Sequence, residues 1–249
     1  MAAGNEPSLR GCAGIVTGGA RGIGRAIVTC LLERGAQVAI FDAQPDGEAA
    51  GDAPAYKLDV RDRTAVREGV ARAHEALGKL TFLVNNAGIR HYAPMLEHTE
   101  QQWRDTIDVD LTGTFLCAQA VVPRFLDDGG GRIVNIGSIV GRIGTANRVA
   151  YCSAKAGIEG LTRALAIELG PHDITANTVA PGVTETELTQ RYFGDEVATR
   201  RILDGTPMGR WGQPPDVARA VAFLVGPDAA YVNGTTLYVD GGWAAGKDI

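Results

Sequence analysis

The sequence predicts an α/β fold, a doubly wound parallel β-sheet with helices on both faces. Three observations carry that expectation. Short β-branched runs alternate with segments of helical periodicity, the pattern of successive βαβ units. The first run feeds a glycine-rich turn that opens the first helix. The chain of 249 residues, 45% of them apolar, can bury one large core.

The elements follow in order. Residues 14–17 read as the first strand and 23–34 as a helix that Gly35 ends. A second strand spans 37–42 and a third 55–59. The stretch 43–54 between them is about as short as a parallel crossover allows, so any helix there is a turn or two. A helix over 64–77 leads to a strand at 80–84. A long helix over 101–126 precedes a strand at 133–136, and a helix holding Tyr151 runs to 169. A strand at 174–179, helical stretches at 187–203 and 215–224, and a last strand at 235–239 complete the series. No repeat or linker interrupts it. Residues 1–249 are therefore expected as a single domain, with 1–10 a flexible extension and 187–209 a substrate-binding segment.

Composition excludes several classes. The net charge of −5 comes with no basic stripe, which argues against nucleic acid as a partner. No apolar run approaches a membrane span, and the start has no signal-peptide core. Cys12, Cys30, Cys117 and Cys152 lack CxxC spacing and read as reduced thiols, so a cytoplasmic location is expected. His74, His91, His98 and His172 show no ligand spacing, so no metal is expected.

The turn Thr17-Gly-Gly-Ala-Arg-Gly-Ile-Gly24 has the strand–turn–helix setting that a pyrophosphate needs. Its glycines, Gly18, Gly22 and Gly24, depart from the usual Gly-x-Gly-x-x-Gly spacing of the Rossmann-type dinucleotide fold. Asp42 ends the second strand, where a carboxylate can take both hydroxyls of an adenosine ribose and repel a 2′-phosphate. That favours NAD over NADP. Arg21 pulls toward NADP, because a guanidinium can pair with that phosphate. Asp42 outweighs it, since it sits where the ribose must lie.

Tyr151 and Lys155 stand four apart and share a helix face. A free tyrosine, with a pKa of about 10, is a poor base, and a nearby ammonium favours its phenolate. Ser138, at a strand end, can hydrogen-bond a substrate oxygen as charge develops there. The trio can move a proton beside a dinucleotide, which points to hydride transfer to or from a carbonyl. The Gly-x-Ser-x-Gly of a serine hydrolase is absent around Ser138. A catalytically dead cofactor-binding regulator should have lost the tyrosine or the lysine, and both are present.

From Thr17 to Gly242 the chain resembles a short-chain dehydrogenase/reductase of the single-domain kind. The resemblance implies that Gly18, Arg21, Gly22, Ile23 and Gly24 form the cofactor turn. It further implies that Asp59 and Val60 lie at the adenine and that Asn86, Ala87 and Gly88 lie along the adenosine side. Pro181, Gly182, Val183, Thr184 and Thr186 would fold over the nicotinamide amide. Ser138, Tyr151 and Lys155 would be catalytic, Lys155 also holding the nicotinamide ribose, and the assembly would be a homotetramer. The runner-up within the family is an NADPH-linked 3-oxoacyl reductase. One position departs: Asp110 stands where the family usually has an asparagine whose main-chain carbonyl relays protons to the lysine. Asp110 can preserve that relay or form an ion pair with Lys155.

The substrate is expected to be a small alcohol or ketone; a secondary alcohol, a sugar or polyol, and a hydroxysteroid all fit. Its pocket is expected from Ser138, Ile139, Val140, Arg142, Gly144 and Tyr151, with the Arg90-His-Tyr92 loop and 187–209. Arg90, Arg142 and Arg148 hint at an anionic or polyhydroxy substrate but read as surface or subunit contacts, and His91 reads as a plain loop residue.

Overall fold

The computed structural model describes residues 8–45, 53–192 and 194–246. One sheet holds seven strands: β1 (Ala13–Thr17), β2 (Gln37–Asp42), β3 (Ala55–Lys57), β4 (Phe82–Asn85), β5 (Gly131–Ile136), β6 (Ile174–Pro181) and β7 (Thr236–Val239). Their order is β3-β2-β1-β4-β5-β6-β7, and every pairing is parallel. The helices are α1 (Gly22–Glu33), α2 (Arg63–Leu77), α3 (Glu100–Ile107), α4 (Gly113–Asp127), α5 (Val149–Leu169), α6 (Glu196–Gly205) and α7 (Pro214–Val225). No helix among the described residues is long and apolar enough to cross a membrane.

Parallel strands covered on both faces tend to be apolar on both sides, and the middle strands β1, β2 and β4 largely are. On one face Ile27 and Val28 of α1 and Val217 and Val221 of α7 close over Val16, Val38 and Val134. On the other, Val66 and Val70 of α2 and Val121 and Phe125 of α4 close over Ile15, Phe41 and Ile133. The chain winds outward from β1 to β3 and, in the opposite direction, from β4 to β7. The carboxyl ends of β1 and β4 therefore flank the crevice where such sheets bind ligands.

A buried polar ladder fixes α5 over β4, β5 and β6. Asn85 Nδ2 donates to Asn135 Oδ1 at 2.9 Å, and Asn135 Nδ2 donates to Thr162 Oγ1 at 2.9 Å. The Thr162 and Thr178 hydroxyls are 2.8 Å apart. Buried polar groups stay paired because leaving one unmet costs more than a pair gains, so this ladder sets the register of the helix carrying Tyr151 and Lys155.

Two expectations change. Residues 1–7 of the expected N-terminal extension lie outside the described residues. Leu9, within it, is only 1% exposed in the α1–α7 core, and its N–H donates to the Arg34 carbonyl at 2.8 Å. Residues 8–10 therefore belong to the fold, because an apolar side chain there completes the core. The single helix expected over 101–126 is α3 and α4 joined by a π-helical turn, Asp108–Thr112. In the crossover after β2, residues 46–52 lie outside the described residues. The segment 187–209 holds a short 3-10 helix, Glu187–Tyr192, and α6.

Candidate active site

The glycine turn is locked from the neighbouring strand. Thr17 Oγ1, at the end of β1, accepts the N–H groups of Asn86 and Ala87, each at 3.0 Å. Asn86 Nδ2 donates back to the carbonyls of Thr17 (3.1 Å) and Gly18 (2.9 Å). Gly18 has φ of 63°, which favours glycine, and a Cβ on Gly24 would meet the Gly18 carbonyl oxygen at 2.0 Å. The unusual glycine spacing thus follows from this turn's own backbone. No acidic residue occupies the first turn of α1, so its N–H groups and positive dipole end stay available to an anion.

Asp42 is buried at the end of β2, where Oδ2 accepts the Ala20 N–H (3.1 Å) and Oδ1 the Gln44 N–H (2.9 Å). A carboxylate held this way keeps lone pairs for two further donors. Arg21 is exposed and reaches Glu187 at 4.0 Å. Asp59 is gripped by Arg61, whose Nη2 lies 2.6 Å and Nε 3.0 Å from its oxygens. That hydrogen-bonded guanidinium holds the Asp59 carboxyl below the usual carboxylate range. This grip was not foreseen, although the two residues stand only two apart in the sequence.

The chemical end is built by α5, the end of β5 and the π-helical turn. Lys155 is buried, and its Nζ donates to the Ile136 carbonyl at 3.0 Å. The same Nζ lies 3.2 Å from Asp110 Oδ2 and 5.4 Å from the centre of the Tyr151 ring. Asp110 is fully buried; its Oδ1 accepts the Ile89 N–H at 2.8 Å, and its carbonyl accepts the Thr114 hydroxyl at 2.7 Å. Of the two roles open to Asp110, the structure therefore displays the ion pair. Burial opposes charge on Lys155 most strongly of any single cause, yet Asp110 and Tyr151 together outweigh it and hold the ammonium above the ordinary lysine range. Burial pushes the Asp110 carboxyl up, and Lys155 and the Ile89 N–H offset only part of that. Ser138 caps the short turn Ile139–Gly141, its Oγ accepting the Val140 N–H at 3.4 Å.

Asp110→Asn is expected to keep kcat/KM near neutral pH within about tenfold, about 1.4 kcal/mol of barrier. Without its counter-charge the buried Lys155 ammonium gives up its proton at lower pH, so the alkaline limit of kcat/KM moves down. A pH–rate profile checks both statements. A loss as large as that of Tyr151→Phe, or an unmoved alkaline limit, contradicts them.

One cleft of about 1300 Å³ joins the two ends. Gly18, Arg21, Gly22, Ile23, Gly24, Asp42, Asp59, Val60, Asn86, Ala87 and Gly88 all line it, as do Ser138, Val140, Tyr151, Lys155, Pro181, Gly182, Val183, Thr184 and Thr186. Gly144 does not: it is exposed on a turn whose neighbours Ile143 and Thr145 face the cleft instead. Arg142 lies outside too, its guanidinium 5.5 Å from the Tyr238 ring centre. The Arg90-His-Tyr92 loop, expected at the pocket, lines the cleft, and so does Arg148, read from sequence as a surface or subunit contact. Trp243 closes it from the C-terminal turn, packed where a Gly205 Cβ would stand 2.6 Å from its ring. Nothing local in the sequence signals that contact.

The family model described as Enoyl-(Acyl carrier protein) reductase matches residues 18–244. The 3-oxoacyl-[acyl-carrier-protein] reductase FabG of Vibrio harveyi is 38% identical over 242 residues, covering 94% of this chain and 98% of its own. The acetoacetyl-CoA reductase of Rhizobium meliloti is 42% identical over 233 residues, covering 92% and 96%. Among solved structures, a gluconate 5-dehydrogenase from Burkholderia cenocepacia J2315, in complex with NADP and tartrate, has a TM-score of 0.92 at 32% identity. That likeness covers 96% of this chain and 98% of the other.

Proposed function

The chain belongs to the short-chain dehydrogenase/reductase family and is an oxidoreductase acting on CH–OH groups with NAD(P), and from that premise we propose that it interconverts a secondary alcohol and a ketone with NAD(H). The observation that carries this reading is the buried Lys155 ammonium beside Tyr151, in one cleft with the glycine turn. The cradle fits a dinucleotide: Gly18 and Gly24 leave no room for a Cβ, the α1 N-terminus is free of acid, and Asp42 is fixed at the strand end. Gly18, Arg21, Gly22, Ile23 and Gly24 would hold the pyrophosphate. Asp42 would hold the adenosine ribose, and Asp59, Val60, Asn86, Ala87 and Gly88 would line the adenine side. Pro181, Gly182, Val183, Thr184 and Thr186 would cover the nicotinamide. When bound, the nicotinamide accepts a hydride from the alcohol carbon in oxidation and returns one in reduction.

The chain's own residues handle the proton. Tyr151, as phenolate, takes the proton from the alcohol oxygen as the carbonyl forms, and gives it back in reduction. Lys155, kept charged by Asp110, sets its ammonium 5.4 Å from the centre of the Tyr151 ring and would bind the nicotinamide ribose. Ser138 donates to the substrate oxygen and fixes its place between Tyr151 and the reacting carbon. The segment 187–209 covers the substrate. Residues 1–249 act as one catalytic domain.

NAD is the preferred cofactor because Asp42 sets a fixed negative charge where a 2′-phosphate would lie, while Arg21 leans toward Glu187. The second reading, NADPH-linked reduction of a 3-oxoacyl thioester, draws on the names of the two sequence relatives and on the NADP bound by the gluconate dehydrogenase. Initial rates with both cofactors separate the readings. Wild-type kcat/KM is expected to favour NAD by about tenfold or more, and Asp42→Ala to narrow that ratio by about tenfold. A wild-type preference for NADP overturns the choice. Free Cys12, Cys30, Cys117 and Cys152 support a cytoplasmic setting. Exposed Trp103, Phe115 and Ile167 on α3, α4 and α5 support self-association as a homotetramer.

A further inference from the structure

At the substrate end the cleft carries cations on one side of the reacting centre. The Arg90 guanidinium lies 5.9 Å from the centre of the Tyr151 ring. Arg148, half-buried, sits with its guanidinium 5.6 Å from the Tyr92 ring centre and 5.7 Å from that of Tyr192. One of its terminal nitrogens donates to the Tyr192 hydroxyl, while its Nε is buried with no hydrogen-bond partner among the described residues. No carboxylate pairs with Arg148 among those residues. A buried guanidinium edge normally finds an acceptor, because desolvating it without one is costly.

The surroundings say what kind of acceptor. Ile89, Ile139, Val140, Leu188 and Ile202 give the cleft an apolar stretch beside these arginines, wide enough for a carbon chain. Arg90 Nη2 donates to the Leu188 carbonyl, and Arg148 reaches Tyr192, so both arginines also hold the 3-10 helix Glu187–Tyr192 over the opening. A compartment clasped in this way suits a short molecule with one anionic end. A planar guanidinium edge matches a carboxylate, which takes two parallel N–H bonds.

We propose that Arg90 and Arg148 form a carboxylate-recognition subsite beside Tyr151, so that the substrate pair is a short hydroxy acid and its oxo acid. The proposal rests on the reading that this cleft runs NAD(H)-linked alcohol oxidation, and it names the substrate class for it. The carboxylate docks on the arginines, the apolar wall holds the carbon chain, and the carbinol oxygen reaches Ser138 and Tyr151.

The test pairs short hydroxy acids with their neutral amides, using NAD as acceptor. For at least one pair, wild-type kcat/KM is expected to favour the acid by about a hundredfold. Arg90→Gln and Arg148→Gln are each expected to cut that acid-to-amide ratio by about tenfold or more, with Arg148→Lys falling between. A wild-type ratio near one, or a ratio unmoved in both glutamine variants, overturns the proposal and leaves the arginines as clasps alone. Oxidation of neutral secondary alcohols in preference to every acid also overturns it, while hydride transfer by the cleft stands. If no alcohol of either kind is oxidised, the reading beneath it fails, and calorimetric titration with the same acids decides the subsite separately. Acids that bind wild type but not Arg148→Gln uphold it; equal binding, or none, overturns it.

Discussion

Tyr151→Phe is expected to lower kcat/KM by about a thousandfold, about 4 kcal/mol of barrier, while the melting temperature stays within about a degree of wild type. The change removes one oxygen from a half-buried ring and leaves its contacts with Arg90 and Lys155 in place. The fold has little to lose there. The chemistry loses the group that takes the alcohol proton, and among the cleft residues neither Ser138 nor Lys155 replaces it. Ser138 is a far weaker base, and Lys155 is held as an ammonium with Asp110 as its counter-charge. Cofactor affinity, measured by calorimetry, should change little, because the ring remains. A variant that retains a tenth of wild-type activity contradicts the assignment.

Lys155→Met is expected to lower kcat by about a hundredfold or more and also to destabilise the protein by about 3–5 kcal/mol. The two losses have different causes. Activity falls because the cation beside the Tyr151 ring, and the group that would hold the nicotinamide ribose, is gone. Stability falls because Asp110, fully buried, keeps only the Ile89 N–H as a side-chain partner. Adding Asp110→Asn to Lys155→Met removes the stranded carboxylate, so the double variant should regain much of the stability and none of the activity. Thermal unfolding and steady-state kinetics on both variants separate these effects. Recovery of activity in the double variant would show that the lysine acts only through folding.

Those features that depend on local backbone chemistry were readable in the sequence. Gly18, Gly22 and Gly24 announce a tight turn that needs glycine at those positions, Asp42 closes a strand, and Tyr151 and Lys155 share a helix face by spacing alone. Alternating β-branched and helical segments likewise gave the parallel sheet, with boundaries off by a residue or two. Side chains that meet across the fold left no such trace. Arg148 reaches Tyr92 and Tyr192 from a third segment, and Trp243 enters the cleft from the far end of the chain. The π-helical turn at Asp108–Thr112 is invisible to a 3.6-residue periodicity that runs through it. Leu9 fell within the expected flexible extension, although an apolar residue just before β1 is the kind of side chain a core edge recruits. Asp110 was legible as a departure, and only the fold shows its carboxylate paired with Lys155.

The central claim is that this cleft moves a hydride from a carbinol carbon to NAD while Tyr151 takes the proton. Secondary alcohols and hydroxy acids deuterated at the carbinol carbon test it most directly. Wild type is expected to deliver that deuterium to C4 of the nicotinamide of NAD, with a slower rate than for the unlabelled alcohol, and Tyr151→Phe to deliver about a thousandth as much in the same time. Reduced NAD carrying no deuterium, or label transfer undiminished in Tyr151→Phe, would contradict the account.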